Sequence, residues 1–233
     1  GQLFIAMWAE RMVEAVPNLE FMQINTDGIT IRLKRTDVDK IKEVCSQLTK
    51  ETTLEIEDAY YSKMIIRDVN DYISVYEDST KDNEHIKLKG VFVDDVEYHQ
   101  NSSMKIVPIA LKNYFVYGIP IENTIRNHKN IYDFCLRLKI NSSSKGEWHS
   151  IEKDNIKITQ LTRTTRYFIS KKGGGLIAYY NGSNSAGRIN KGFNTTLFNR
   201  YYKSDNYDIN FNFYEVECRK IINMIEDKQL KLF

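Results

Sequence analysis

The residues best suited to chemistry in this 233-residue chain lie in one short stretch, Phe21-Met22-Gln23-Ile24-Asn25-Thr26-Asp27-Gly28-Ile29-Thr30-Ile31-Arg32-Leu33. Apolar residues alternate on either side of Asn25-Thr26-Asp27-Gly28, so the stretch reads as two short strands joined by a hairpin turn. A carboxylate at the tip of such a turn stays solvated while the strands fix its backbone. An Asp so placed can reach a metal ion held over the open face of a sheet. The same four residues also make an ordinary turn with no task, and spacing alone leaves both readings open.

The elements that must position this turn can be read on both sides of it. Leu3, Phe4, Met7, Trp8, Met12, Ala15 and Val16 recur at three- and four-residue steps, which predicts a helix stopped by Pro17. Thr36, as an N-cap, predicts a second helix to Lys50 with Val38, Ile41, Val44, Cys45 and Leu48 on its buried side. Leu54–Glu57, Tyr60–Ile66, Asp71–Tyr76 and Ile86–Val91 predict a strand-rich meander. Beyond Ser102 the pattern turns helical, through Ala110, Leu111, Tyr114 and Phe115 to a break at Gly118-Ile119-Pro120. A further helix is expected from Glu122 to Lys139, carrying Ile125, Ile131, Phe134, Cys135 and Leu138. Arg163–Ser170 predicts a strand, Lys171–Gly175 a turn without the register of a nucleotide-binding loop, and Phe213–Ile225 an amphipathic helix. The expected fold is α+β, a palm-like mixed or antiparallel sheet packed on helices, followed by a mainly helical part with a small β-rich region near the C-terminus.

With 42% hydrophobic and 27% charged residues the chain can bury a core, and three prolines leave no proline-rich linker. Cys45, Cys135 and Cys218 are an odd, dispersed set without Cys-x-x-Cys. That disfavours a disulfide framework or a zinc knuckle and predicts a reducing, intracellular setting. No stretch reaches the roughly 18 uninterrupted apolar residues of a membrane span, and Glu10 and Arg11 break the N-terminal run, so neither a membrane nor a signal peptide is expected. The start at Gly1, already within a helical pattern, predicts a piece of a longer protein.

Net charge is only +2, yet charge is sorted along the chain. Asp37 to Glu97 holds 16 acidic and 8 basic residues, whereas Asn155 to Ser204 holds no acid and nine bases: Lys157, Arg163, Arg166, Lys171, Lys172, Arg188, Lys191, Arg200 and Lys203. Tyr167, Phe168, Tyr179, Tyr180, Phe193, Phe198, Tyr201 and Tyr202 lie among these bases. The composition suits a surface that tracks a phosphate backbone. A solvated basic face around core aromatics is the alternative.

The hairpin resembles motif C of the family B DNA polymerases, in which a strand-turn-strand carries Asp-Thr-Asp and the second Asp binds the catalytic metals. Asp27 falls on that second Asp, and Asn25 replaces the first. The resemblance implies two Mg2+ ions about 3.5–4 Å apart activating a primer 3′-oxygen against an incoming dNTP. Asp27 would be the catalytic metal ligand supplied by this chain, with the partner carboxylate in an upstream segment of the same polymerase, without which the fragment is inactive. Tyr72 and Ile86–Gly90 resemble the Lys-x-Tyr strand and Lys-Gly that touch primer-template DNA. Asn70 stands where the family has Lys, so contacts are expected from Asn70, Tyr72, Lys87 and Lys89.

The resemblance also implies a palm over 1–100, a thumb over 101–228 and a tail over 229–233. Thumb contacts to the DNA backbone are expected from Arg163, Arg166, Lys171, Lys172, Arg188 and Lys191. The closing Gln229-Leu230-Lys231-Leu232-Phe233 resembles the peptide by which bacterial replication proteins dock on a sliding clamp. Gln229 would bond at the rim of the clamp pocket, with Leu230, Leu232 and Phe233 as its apolar part. A phage or mobile-element polymerase acting in the bacterial cytoplasm is the resulting expectation. A non-catalytic DNA-binding or clamp-tethered module with an inert turn is the alternative.

Overall fold

The computed structural model describes residues 2–80, 82–95, 103–152, 155–179, 186–204 and 206–230. It is a mixed α+β fold with antiparallel sheets, divided into two compact units, Gly1–Lys87 and Leu88–Phe233. The expected boundary at residue 100 lies outside the described residues.

The first unit opens with α1 (Gln2–Ala15), whose three- and four-residue spacing buries Ile5, Trp8 and Met12 on one face. A hairpin follows, β1 (Glu20–Ile24) against β2 (Ile29–Arg32), with a bulge between Phe21 and Gln23. Helix α2 (Val38–Thr52) buries Ile41, Val44, Cys45 and Leu48 against α1. Thr36 is not its N-cap: it sits in a 3-10 turn, Arg35–Asp37, and Asp37 takes the cap position. Ile29, Ile31 and Leu33 lean on the same core, so the helix pair supports the hairpin from the β2 side. Leu54–Glu57 forms no strand. Thr53 adopts a left-handed conformation that ends α2, the following chain is unpaired, and Ile56 instead packs against the helix core. β3 (Tyr61–Asp68), β4 (Asp71–Tyr76) and β5 (Ile86–Leu88) complete the expected meander around buried Ile65 and Ile73.

Among the described residues the second unit combines three α-helices with two sheets. Helix α3 (Ile106–Tyr117) ends at Gly118 in the left-handed region, where the N–H groups of Gly118 and Ile119 satisfy the Tyr114 and Asn113 carbonyls. Helix α4 (Ile121–Asn127) is shorter than the sequence pattern predicts. Asn130 accepts a hydrogen bond from the Tyr132 N–H at 3.2 Å and starts a 3-10 turn, Ile131–Phe134. The chain then becomes β6 (Leu136–Lys139). Side-chain capping by Asn130 competes with helix continuation, and pairing with a distant strand wins. The remaining strands are β7 (Lys145–Glu152), β8 (Asn155–Gln160), β9 (Thr164–Ser170), β10 (Gly175–Tyr179), β11 (Ala186–Ile189) and β12 (Asn194–Leu197). They form the sheets β11-β10-β7-β8 and β12-β9-β6. A bridge between Gly174 and Thr195 and a 3.1 Å bond from Trp148 Nε1 to the Thr195 carbonyl tie the two sheets together. A Cβ at position 174 would lie 2.2 Å from the His149 carbonyl oxygen, so this approach requires glycine.

Helix α5 (Phe211–Leu230) starts earlier and runs further than the pattern predicts. It sends Tyr214 into the core, where the hydroxyl donates to the Phe134 carbonyl at 2.8 Å and accepts from the Ile169 N–H at 3.0 Å.

Candidate functional site

The turn carrying Asp27 is closed by two local bonds. The Asn25 N–H donates to the Gly28 carbonyl at 3.0 Å, and the Asp27 N–H donates to Asn25 Oδ1 at 3.3 Å. The second bond is an Asx turn, which gives Asn25 a structural task. Asp27 is exposed at the tip. Thr26 Oγ1 donates to its Oδ1 at 3.1 Å, while Oδ2 has no partner among the described residues. One carboxylate oxygen is therefore oriented and the other faces solvent.

Behind the turn, β1 departs from simple alternation. Gln23 is buried at 8% exposure, whereas Phe21, Met22 and Ile24 are 37–43% exposed. The bulge at Met22 turns the glutamine inward, and its Nε2 donates to the Val69 carbonyl. Val69 and Asn70 form the turn between β3 and β4, so this bond ties the Asp27 hairpin to the hairpin that carries Asn70 and Tyr72. An Arg67–Asp71 ion pair at 2.7 Å stiffens the second turn. Asn70 is exposed, and Tyr72, paired opposite Ile66, is half-buried. Nothing in the alternation marks Gln23 as the linking residue; its sole signal is a polar side chain between the apolar Met22 and Ile24.

A divalent ion of the Mg2+ class takes one or two carboxylates and fills its remaining positions with water and phosphate oxygens. Asp27 has the free oxygen and the rigid mounting to be one such ligand. Among the described residues no group of three or more His, Cys, Asp or Glu surrounds a metal position.

Lys87 is half-buried in β5 and Lys89 is exposed after it. The basic residues of the second unit do not converge on one spot. Arg163 is exposed before β9, and Lys171 and Lys172 follow its far end, roughly 20 Å away at strand rise. Arg166 stands opposite Arg137 across the β9–β6 pair. Arg188 is exposed on β11, and Lys191 lies in the turn after it. Of the interleaved aromatics, Tyr167, Phe168 and Phe198 are core, whereas Tyr201 and Tyr202 are exposed. Tyr180 lies outside the described residues.

In the terminal peptide, the backbone of Gln229 and Leu230 belongs to the last turn of α5, and Leu232 and Phe233 lie outside the described residues. Among the described residues no helix is long and apolar enough to cross a membrane. No family model, no curated protein and no solved structure matches the chain.

Proposed function

We propose that this chain is the metal-binding palm portion and the thumb of a template-directed DNA polymerase of family B type. In this reading Asp27 contributes one of the carboxylates that hold two Mg2+ ions at the primer 3′ end. The observation that carries it is the Gln23 bond to Val69, which stitches the Asp27 turn to the Asn70–Tyr72 hairpin. A metal ligand and a primer-strand contact must share one rigid frame if the 3′-oxygen is to be held against the ion.

A second feature supports the reading. Among the described residues the β1–β2 sheet has two strands, and it leaves Phe21, Met22 and Ile24 exposed beside the turn. Isolated two-stranded sheets are marginal, and a further strand bearing the second carboxylate would both extend this one and complete the ligand set. That strand belongs to polypeptide outside these 233 residues.

The ions, when bound, lower the pKa of the attacking hydroxyl and offset charge on the leaving pyrophosphate. Asp27 holds and orients, Thr26 fixes the carboxylate rotamer, and Asn25 keeps the turn closed. Asn70 hydrogen-bonds without neutralising a phosphate, so Lys87 and Lys89 take over charge compensation on the primer-template. The spread of Arg163, Arg166, Lys171, Lys172, Arg188 and Lys191 suits a surface that follows a duplex backbone. Gln229, Leu230, Leu232 and Phe233 serve as the sliding-clamp peptide, which requires the last turn of α5 to open when the clamp binds.

Site-specific crosslinking tests the frame. With p-benzoylphenylalanine in place of Tyr72, the chain should crosslink to the primer strand within the last few nucleotides before its 3′ end. Crosslinks scattered along both strands would remove the support.

A further inference from the structure

The sheet β11-β10-β7-β8 has one face packed inward and one face open. Leu176, Ala178 and Ser150 are buried, while Ile177, Tyr179, Glu147 and His149 alternate with them on the outer side. The pairing places these outer residues in neighbouring rows. His149 stands opposite Gly175 and Ile158, and Glu147 opposite Ile177 and Gln160. Lys145 stands opposite Tyr179, and Arg188 opposite Ile177.

A hydrogen-bond network fixes the centre of this face. His149 Nε2 lies 2.8 Å from Glu147 Oε2, Gln160 Nε2 donates to Oε1 at 3.0 Å, and the Tyr179 hydroxyl donates to Oε2 at 3.1 Å. These bonds, His149 first, hold the Glu147 carboxyl below its ordinary range. Its charge is thus taken up within the sheet, and the two rings it anchors lose their rotamer freedom before any ligand arrives. Arg188 lies beside them with its guanidinium atoms 3.1–3.3 Å from where a Cβ of residue 175 would be, so the glycine lets it settle closely over the strand. No carboxylate pairs with Arg188 among the described residues. The face continues onto Ile151, Ile156 and Ile158, which are 77%, 70% and 54% exposed.

We propose that this open sheet face binds single-stranded nucleic acid, its bases lying on Tyr179, His149 and the isoleucines and its phosphates on Arg188 and Lys145. Ordered aromatic rings on an exposed sheet with flanking cations give sequence-tolerant stacking plus backbone attraction. Charge complementarity favours this occupant over a protein: β8, β10 and β11 all come from the acid-free Asn155–Ser204 run, and the one carboxylate at the centre is already engaged. The inference is independent of Asp27 and stands on the second unit alone.

The test is fluorescence anisotropy of a labelled oligothymidylate with the whole 233-residue chain at two salt concentrations. Tyr179→Ala combined with Arg188→Ala should weaken binding about tenfold or more. Arg188→Lys should restore the salt dependence but not the full affinity. Unchanged melting of each variant excludes misfolding as the cause. Oligonucleotide binding indifferent to these substitutions overturns the proposal. So does self-association that Ile151→Ser with Ile156→Ser abolishes while oligonucleotide binding persists, because the face would then be a protein interface. Asp27→Ala should leave this binding intact, which separates failure of this inference from failure of the polymerase reading.

Discussion

Replacing Tyr214 with Phe removes one oxygen from the centre of the second unit and little else. The ring is fully buried and packs edge-on to Phe134, with centroids 5.3 Å apart, and Phe keeps that packing and volume. The hydroxyl occupies a particular place in the β-structure. β6 and β9 pair with Leu136 opposite Tyr167, so continuing the same register puts Phe134 opposite Ile169. There the chain has already turned into the 3-10 segment, and the ladder bond is missing. The Tyr214 hydroxyl fills the gap by accepting from the Ile169 N–H and donating to the Phe134 carbonyl. Burial pushes its pKa far up, so it remains a proton donor at ordinary pH.

Tyr214→Phe leaves two buried backbone groups without that partner, at about 1–3 kcal/mol each. Shape is conserved, so no cavity cost is added, and the expected loss is roughly 2–6 kcal/mol. Urea unfolding followed by circular dichroism should show a lower midpoint with an unchanged slope. In thermal scans the loss amounts to roughly 4–24 °C for a domain of this size. Hydrogen exchange at the Ile169 amide should accelerate more than at its neighbours. A loss under about 0.5 kcal/mol with Ile169 still protected would refute the reasoning, since it would mean that the two groups find each other directly.

Two further outcomes follow from the same unit. Arg126 forks onto Glu215 at 2.8 and 3.3 Å, and the Glu215 side chain is only 8% exposed. Arg126→Ala should therefore cost about 1–3 kcal/mol in urea unfolding, reduced by the exposure of the arginine, and Glu215→Gln in the same chain should recover part of it. Burial pushes the Cys135 and Cys218 thiols up to about 12 from 9.0. Because the folded values lie above the unfolded ones, the stability they contribute is complete below about pH 9 and falls as pH climbs toward about 12. Comparing urea midpoints of the wild type and the Cys135→Ala, Cys218→Ala chain across that window should show a shallower alkaline decline for the variant. Equal declines would contradict the burial account.

The helices α1 and α2 and the Asp27 hairpin were legible because each is decided locally, by 3.6-residue spacing or turn chemistry. The segment from His128 to Lys139 was not. Ile131, Phe134, Cys135 and Leu138 keep helical spacing, but partners distant in sequence, Tyr214 and β9, determine its conformation. The open sheet was hidden for a related reason: Ile151, Ile156 and Ile158 face solvent while Ser150 is buried, the reverse of what hydropathy suggests. At the Asn25–Gly28 turn the sequence placed Asp27 at a hairpin tip, where the structure has it exposed. It could not identify Gln23, because inward placement of that side chain depends on the bulge at Met22 and on the Val69 carbonyl, which only the tertiary fold brings together.

The proposal that Asp27 holds metal for nucleotidyl transfer is tested most directly by primer extension with this chain joined to the upstream segment that the reading calls for. Asp27→Ala should lower nucleotide incorporation about a thousandfold or more, as expected when several kcal/mol of charge stabilisation are lost at about 1.4 kcal/mol per decade, and should leave primer-template affinity within about twofold. Extension that persists at the wild-type rate in Asp27→Ala would contradict the claim and leave the Asn25–Gly28 turn as simple hairpin closure.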